Sequence, residues 1–131
     1  MNPLVLLAAL PLMAMAPMTI AAMQWERRVL LVGASAADDA MLAEQRRVVA
    51  RWKAEGEARD LSVVEVVGER VVGAADRAAS LRRRYGLPAS GFGAVLIGKD
   101  GGVKLRSSRP LSSAVLAKTI DAMPMRRSGG R

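Results

Sequence analysis

Three polar residues stand where chemistry could begin, because Ser35, Asp38 and Asp39 follow a short apolar run at the expected start of a helix. A serine hydroxyl attacks a substrate only when a neighbouring base removes its proton. Two carboxylates can divide acid and base roles only where a pocket separates their pKa values. The chain has no histidine, and the sequence indicates no such pocket. The pattern therefore favours capping or loop roles, and a cysteine-independent hydrolase using Asp38 or Asp39 stays as an alternative.

The absence of two residue types excludes further chemistry. The 131 residues contain no cysteine and no histidine. Thiol exchange requires a thiolate nucleophile, and structural zinc sites are built from cysteine and histidine. The acidic residues do not have the spacing of a calcium-binding loop. The sequence therefore excludes thiol-based redox activity, and we expect no catalytic residue, no cofactor and no metal site.

The basic residues leave two interpretations open. The formal net charge is +8, and aromatic residues make up only 3% of the chain, so stacking on nucleic-acid bases is not expected. Three consecutive helical arginines spread over about 200° of a helix and form no compact patch by themselves. They are either a solvated face or, with two later arginines, an anion-binding surface for envelope lipid or polysaccharide. The candidate anion-binding residues are Arg82, Arg83, Arg84, Arg126 and Arg127.

The first 25 residues carry no charged side chain. Residues 4–10 form an apolar stretch of the length found in signal peptides, and small residues follow it. We predict a signal peptide over residues 1–22, although its start lacks the usual Lys or Arg. An uncleaved membrane anchor is the alternative, since about 20 apolar residues can span a bilayer. The expected location is periplasmic or secreted, with inner-membrane anchoring as the alternative.

Short apolar runs alternate with helical spacing in the rest of the chain. Apolar runs rich in strand formers predict strands, and Asp100 and Gly101 predict a hairpin between the last two. Helices should begin at Asp38 or Asp39, at residue 76, and at Ser112 or Ser113. They should end near Gly56, at Gly86 and at Pro124. The predicted strands are residues 29–32, 61–67, 94–97 and 103–106.

The helical spacing also predicts which side chains are buried. One face of the first helix should carry Met41, Gln45, Val48, Val49 and Trp52. The last helix should bury Val115, Leu116, Thr119, Ile120 and Met123.

The order of these elements is βαβ, a helix, a β-hairpin and a final helix. A βαβ unit requires a right-handed parallel crossover, and the hairpin then adds two antiparallel strands. The result is an α/β domain over residues 26–124, with a four-stranded mixed sheet and helices on both faces. This arrangement is thioredoxin-like. Residues 125–131 are predicted to be a flexible basic tail.

Thioredoxin-like enzymes carry their reactive thiols just after the first strand. Ser35 and Asp38 occupy the corresponding positions of a Cys-x-x-Cys pair, and neither can form a disulfide. Such folds also often hold a cis proline before the third strand, where this chain has Pro88. The sequence leaves the isomer of Pro88 open.

Several segments together resemble domain-of-unknown-function family 4174. The resemblance lies in residues 28–32, 36–39, 42–47, 85–88, 96–106 and 120–126, and it covers nearly all of residues 28–127. It implies a thioredoxin-like fold and a small exported bacterial protein. It implies no reaction. We therefore expect a non-catalytic exported binding or accessory module with a protein partner, in contact with membrane only through its N-terminal segment.

Overall fold

The computed structural model describes residues 17–127 of the chain. These residues contain no helix long and apolar enough to cross a membrane. The predicted signal or anchor lies outside the described residues as far as residue 16, and the end of the predicted tail lies outside them from residue 128. The strands are β1 Arg28–Ala34, β2 Leu61–Val67, β3 Arg70–Val72, β4 Gly93–Ile97 and β5 Val103–Ser107. The helices are α1 Ala40–Arg51, α2 Lys53–Ala58, α3 Ala78–Tyr85, α4 Ser113–Asp121 and α5 Pro124–Arg127, and a 3₁₀ turn over Ala21–Met23 precedes them.

The sheet has β1 at its centre and the strand order β3-β2-β1-β4-β5. All seven residues of β1 are buried, as expected for a strand covered on both faces. Strands β1 and β2 are parallel, whereas β4 runs antiparallel to β1 and β5 antiparallel to β4. The predicted βαβ unit and hairpin are present in this order. The structure is therefore an α/β domain with a mixed sheet.

The prediction of four strands is wrong, because the described residues form five. The additional strand β3 pairs antiparallel with the end of β2 at the edge of the sheet. The chain reverses at Gly68, whose φ is +58°, in the left-handed region that favours glycine. Gly73 then leaves the sheet so close to β2 that a Cβ would lie 2.6 Å from the Val63 carbonyl oxygen. The sequence shows only two glycines around a short apolar segment, which is also typical of a plain connection.

Two apolar layers cover the sheet. Helices α1 and α4 supply Leu42, Leu116 and Ile120 to one layer. Helix α3 supplies Leu81 and Tyr85 to the other layer.

The segment before β1 belongs to the second of these layers. Ile20 and Met23 are 4% and 6% exposed and pack in the same cluster as α3. The Ile20 amide donates to Asp76 Oδ1 at 2.8 Å, and the Ala75 amide donates to the Met18 carbonyl at 3.0 Å. The predicted domain start at residue 26 is therefore too late, because this segment packs as part of the domain.

Helix ends match the capping signals at three positions. Asp39 caps α1 by accepting hydrogen bonds from the amides of Met41 and Leu42. Ser112 caps α4, and Gly86 ends α3 with φ +69°.

Other helical predictions need correction. The first predicted helix does not end near Gly56. It breaks at Trp52, and α2 continues through Gly56, whose Cβ position lies 3.6 Å from the Trp52 ring. Met41 is 40% exposed while Leu42 is fully buried, so Leu42 takes the place predicted for Met41 on the buried face of α1, whereas Gln45 is buried as predicted. Val115 is likewise 41% exposed on α4.

The end of the described chain also differs from its prediction. Helix α4 ends at Asp121, before Pro124, and Pro124 begins α5. Proline is well accepted at the start of a helix because the amide there has no helical partner. Residues 125–127, which were predicted to belong to a flexible tail, are therefore helical.

Gln45 connects α1 to the segment before α4. Its side chain is 1% exposed. Nε2 donates to the Leu111 carbonyl at 3.0 Å, and Oε1 accepts from the Leu111 amide at 2.7 Å. Replacing Gln45 with leucine should lower the free energy of unfolding by about 2–3 kcal/mol, because it leaves a buried amide and carbonyl unpaired. Urea unfolding measures the loss, and Glu44→Gln on the exposed side of the same helix should change it little.

Arg59 connects α2 to α4 through an ion pair with Asp121 that is sensitive to acid. It pairs with Glu55 and Asp121 at 3.1 and 3.0 Å, and its guanidinium lies 5.2 Å from the Trp52 ring centre. The hydrogen bond from Arg59 lowers the pKa of Asp121. The stability that this pair contributes is therefore present above the unfolded-state pKa of Asp121 and is lost as the pH falls through its lower folded-state pKa.

Replacing Arg59 with alanine should cost about 1 kcal/mol at pH 7, since the pair is partly exposed and screened. The variant should also lose less stability than the parent protein on acidification below about pH 4. Thermal unfolding at pH 7 and pH 3 measures both effects. An identical acid response in the two proteins would contradict the assignment.

Candidate functional site

The candidate site lies at the end of β1, where the structure places Ser35 on the surface. The Ser35 hydroxyl oxygen accepts a hydrogen bond of 2.7 Å from the Gly91 amide. This bond joins the loop after β1 to the loop before β4. Ser35 therefore ties two loops together, the loop role that the sequence favoured.

The neighbouring acids do not form a pair around this hydroxyl. The Asp39 carboxylate caps α1 with bonds of 2.8 and 3.0 Å to two amides. Asp38 is exposed and makes no ion pair with another described residue. Residues 17–127 also contain no group of three acidic side chains placed to hold a metal ion. In the part of the chain described, nothing holds a base against Ser35.

A shallow cavity of about 390 Å³ opens beside these loops, between the segment before β4 and strand β5. Its walls include Leu87, Pro88, Phe92 and Arg106. The peptide bond before Pro88 is trans, as are the other described peptide bonds. Gly93 permits this packing, because a Cβ there would lie 2.7 Å from Pro88 Cδ. The cavity is therefore largely apolar, with Arg106 as its charged wall.

The charged wall of this cavity is bonded to the protein itself. Arg106 donates from Nη1 to the Tyr85 carbonyl. Burial raises the pKa of the Tyr85 phenol, a group that is neutral near pH 7 even at its ordinary pKa. The side chain of Arg106 is therefore held by the backbone at the end of α3.

The three arginines of α3 differ in their surroundings. Arg82 donates to the Gly68 carbonyl and lies 3.5 Å from the Glu69 carboxylate. Arg84 lies over the Tyr85 ring at 5.4 Å, and Arg83 is exposed. Arg82 thus serves to hold the turn between β2 and β3.

The structure does not bring the five candidate arginines into one surface. Arg126 lies on α5, where it pairs with Asp121 at 3.3 Å and donates to the Ala58 carbonyl. Arg127 ends the same helix. Helix α5 follows Met123 in the layer of α1 and α4, whereas α3 covers the opposite face of the sheet. The predicted anion-binding group is therefore split between two faces.

Sequence reasoning missed one unusual residue, Arg28 at the start of β1. Its side chain is 1% exposed. Arg28 is the first residue of a strand whose every residue is buried in the structure. Trp25 lies close to Arg28 in sequence, and Asp60 lies close to it across the sheet. Both residues have left-handed φ angles, +72° for Trp25 and +53° for Asp60.

Comparisons with known proteins agree with the architecture. The structure is similar to the crystal structure of reduced 2-Cys peroxiredoxin from Plasmodium vivax, with a TM-score of 0.61 and 11% identity over 83% of this chain and 84% of that chain. This likeness shows that the fold is thioredoxin-like. No curated protein matches the chain.

Family membership follows from the sequence match. The model of a domain of unknown function, DUF4174, matches residues 19–129. The match includes the segment around Ile20 that packs into the core. It covers most of the chain, which belongs to the DUF4174 family.

Proposed function

We propose that this protein is a non-catalytic, exported binding or accessory module. The coarser facts are that it is a thioredoxin-like DUF4174 domain without cysteine and that it has no thiol redox chemistry. The proposal adds that the domain acts by binding, without turnover.

One observation carries the proposal. At the end of β1, where related folds present a thiol, this chain presents Ser35 with its hydroxyl bonded to the Gly91 amide. A nucleophile needs a base within hydrogen-bond reach. Asp38, the nearest acid in sequence on the helix side, is exposed, and Asp39, the next one, is committed to the α1 cap. The geometry here supports a role for Ser35 in holding together the loop after β1 and the loop before β4.

Export is supported by the N-terminal sequence. The apolar stretch over residues 4–10 and the absence of charge before residue 26 fit a signal peptide. We place the protein in the periplasm or outside the cell on this basis.

Turnover assays on the tag-free protein test the proposal. We expect no hydrogen peroxide reduction with dithiothreitol, no disulfide reduction and no ester hydrolysis above the buffer rate. Saturable turnover that disappears in Ser35→Ala or Asp38→Asn, and survives in the control Glu44→Gln, would overturn the proposal. It would instead support a hydrolase.

A further inference from the structure

A second cavity lies at the opposite end of β1 from Ser35. Its volume is about 260 Å³, and the seven residues of β1 separate the two ends by roughly 20 Å. Its apolar walls come from the segment before β1 and from the link between α4 and α5. The apolar lining residues are Trp25, Met123, Pro124 and Met125, and the charged ones are Arg28, Lys99, Asp100 and Lys104.

Arg28 brings a buried positive charge to this cavity. Its Nε donates to Met123 Sδ at 3.3 Å, and its Nη1 donates to the Arg59 carbonyl at 2.7 Å. Both acceptors are uncharged. Burial lowers the pKa of Arg28, and it outweighs the electrostatic attraction of Arg28 to the carboxylates of Asp60 and Asp121. A buried cation that its neighbours do not fully compensate is costly for a protein to keep.

The other charges around the cavity are paired. Lys99, 8% exposed, lies 2.9 Å from an Asp60 oxygen, and that carboxylate also lies 3.6 Å from Arg27. Lys104 pairs with Asp100 at 2.8 Å. Together with Arg28, these three basic side chains face two carboxylates, so positive charge is in excess at this end of the sheet. A ligand with a single negative charge would complement it.

The rim of the cavity contains a second feature that is energetically unfavourable for the folded protein. Trp25 has a left-handed backbone, φ +72°, with an indole that is 60% exposed. A bulky residue in this conformation is a genuine outlier, and such outliers cluster at ligand sites. The Trp25 amide is held by the Lys99 carbonyl. The backbone thus fixes a large apolar side chain beside the opening.

We propose that this cavity binds a medium-chain carboxylate, with the carboxylate at Arg28 and the alkyl chain against Trp25, Met123 and Met125. The volume corresponds to roughly nine water-sized units, which suits a chain of about eight carbons. The inference goes beyond the proposed function and does not depend on it, because it concerns the other end of the sheet.

Tryptophan fluorescence tests the proposal in the full chain. A Trp52→Phe background leaves Trp25 as the reporter, since the chain has two tryptophans. We expect octanoate to shift Trp25 emission to the blue in a saturable way. Octan-1-ol and octylamine, which lack the negative charge, should bind at least about tenfold more weakly.

A matched pair of variants at the exposed rim of the cavity tests whether octanoate binds there. Met125 is 41% exposed, so its replacement should leave the fold intact, which circular dichroism verifies. Met125→Glu should weaken octanoate binding about tenfold through like-charge repulsion, whereas the neutral Met125→Gln should weaken it less than about threefold. Equal affinity for octanol, equal affinity of the two variants, or no saturable shift would each overturn the proposal.

Discussion

A chain that starts at residue 23 should lose about 3–5 kcal/mol of unfolding free energy relative to a chain that starts at residue 17. The loss has two sources. Ile20 is 4% exposed in the core beside α3, and its amide bonds the Asp76 carboxylate. Urea unfolding followed by circular dichroism measures the difference.

Two point variants in the longer chain separate side-chain burial from a general effect of length. Ile20→Ala should cost about 2–4 kcal/mol through the cavity that it leaves. Met18→Ala should cost little, because the Met18 side chain is 46% exposed and its structural contact is through the carbonyl. Equal stability of the two chain lengths would show that the segment does not belong to the domain.

The expected loss of stability bears on the proposed cleavage of a signal peptide. Cleavage after Ala21 or Ala22 fits the small-residue pattern, but it would remove Ile20 from the core. For the export that we propose, intact-mass measurement of the mature chain should therefore place its N-terminus upstream of Met18.

Replacing Arg28 with methionine should weaken octanoate binding much more than it lowers the stability of the fold. Apolar residues of similar size often substitute for buried charges at little cost, but the Arg59 carbonyl loses its donor, so we expect the free energy of unfolding to fall by about 1–2 kcal/mol. Octanoate binding should weaken by at least about tenfold, because the buried positive charge of the lining is removed.

Arg28→Ala is the matched comparison. It leaves a void in addition to the unbonded Arg59 carbonyl that both variants share, and it should cost about 3 kcal/mol. Fluorescence titration and urea unfolding of both variants give the two readouts. If Arg28→Met were as unstable as Arg28→Ala while octanoate still bound, Arg28 would be a structural residue and not a ligand contact.

Local signals in the sequence predicted local structure well. The bounds of β2, the Gly86 end of α3 and the Ser112 cap of α4 all follow from neighbouring residues. The strand β3 was missed because three residues between glycines form a strand only through pairing with β2. The exchange of Met41 for Leu42 at the start of the buried face has a similar cause, since packing against the sheet decides which of the two neighbours is covered.

The candidate site was predicted less completely than the fold. The position of Ser35 follows from the order of elements, and its loop role follows from the missing base. The arginines could not be grouped correctly, because α3 and α5 cover opposite faces of the sheet. The burial of Arg28 depends on Met123 and Arg59, which contact it only through the tertiary fold.

We propose a thioredoxin-like domain that binds a carboxylate ligand at the Arg28 end of the sheet. Nitrogen-15 chemical-shift mapping of the full chain with octanoate tests this most directly, because it observes both ends of β1 at once. We predict saturable shifts at Trp25, Arg28 and Lys99, with Ser35 and Gly91 unchanged. Saturable shifts confined to Ser35 and Gly91, or none at either end, would contradict it.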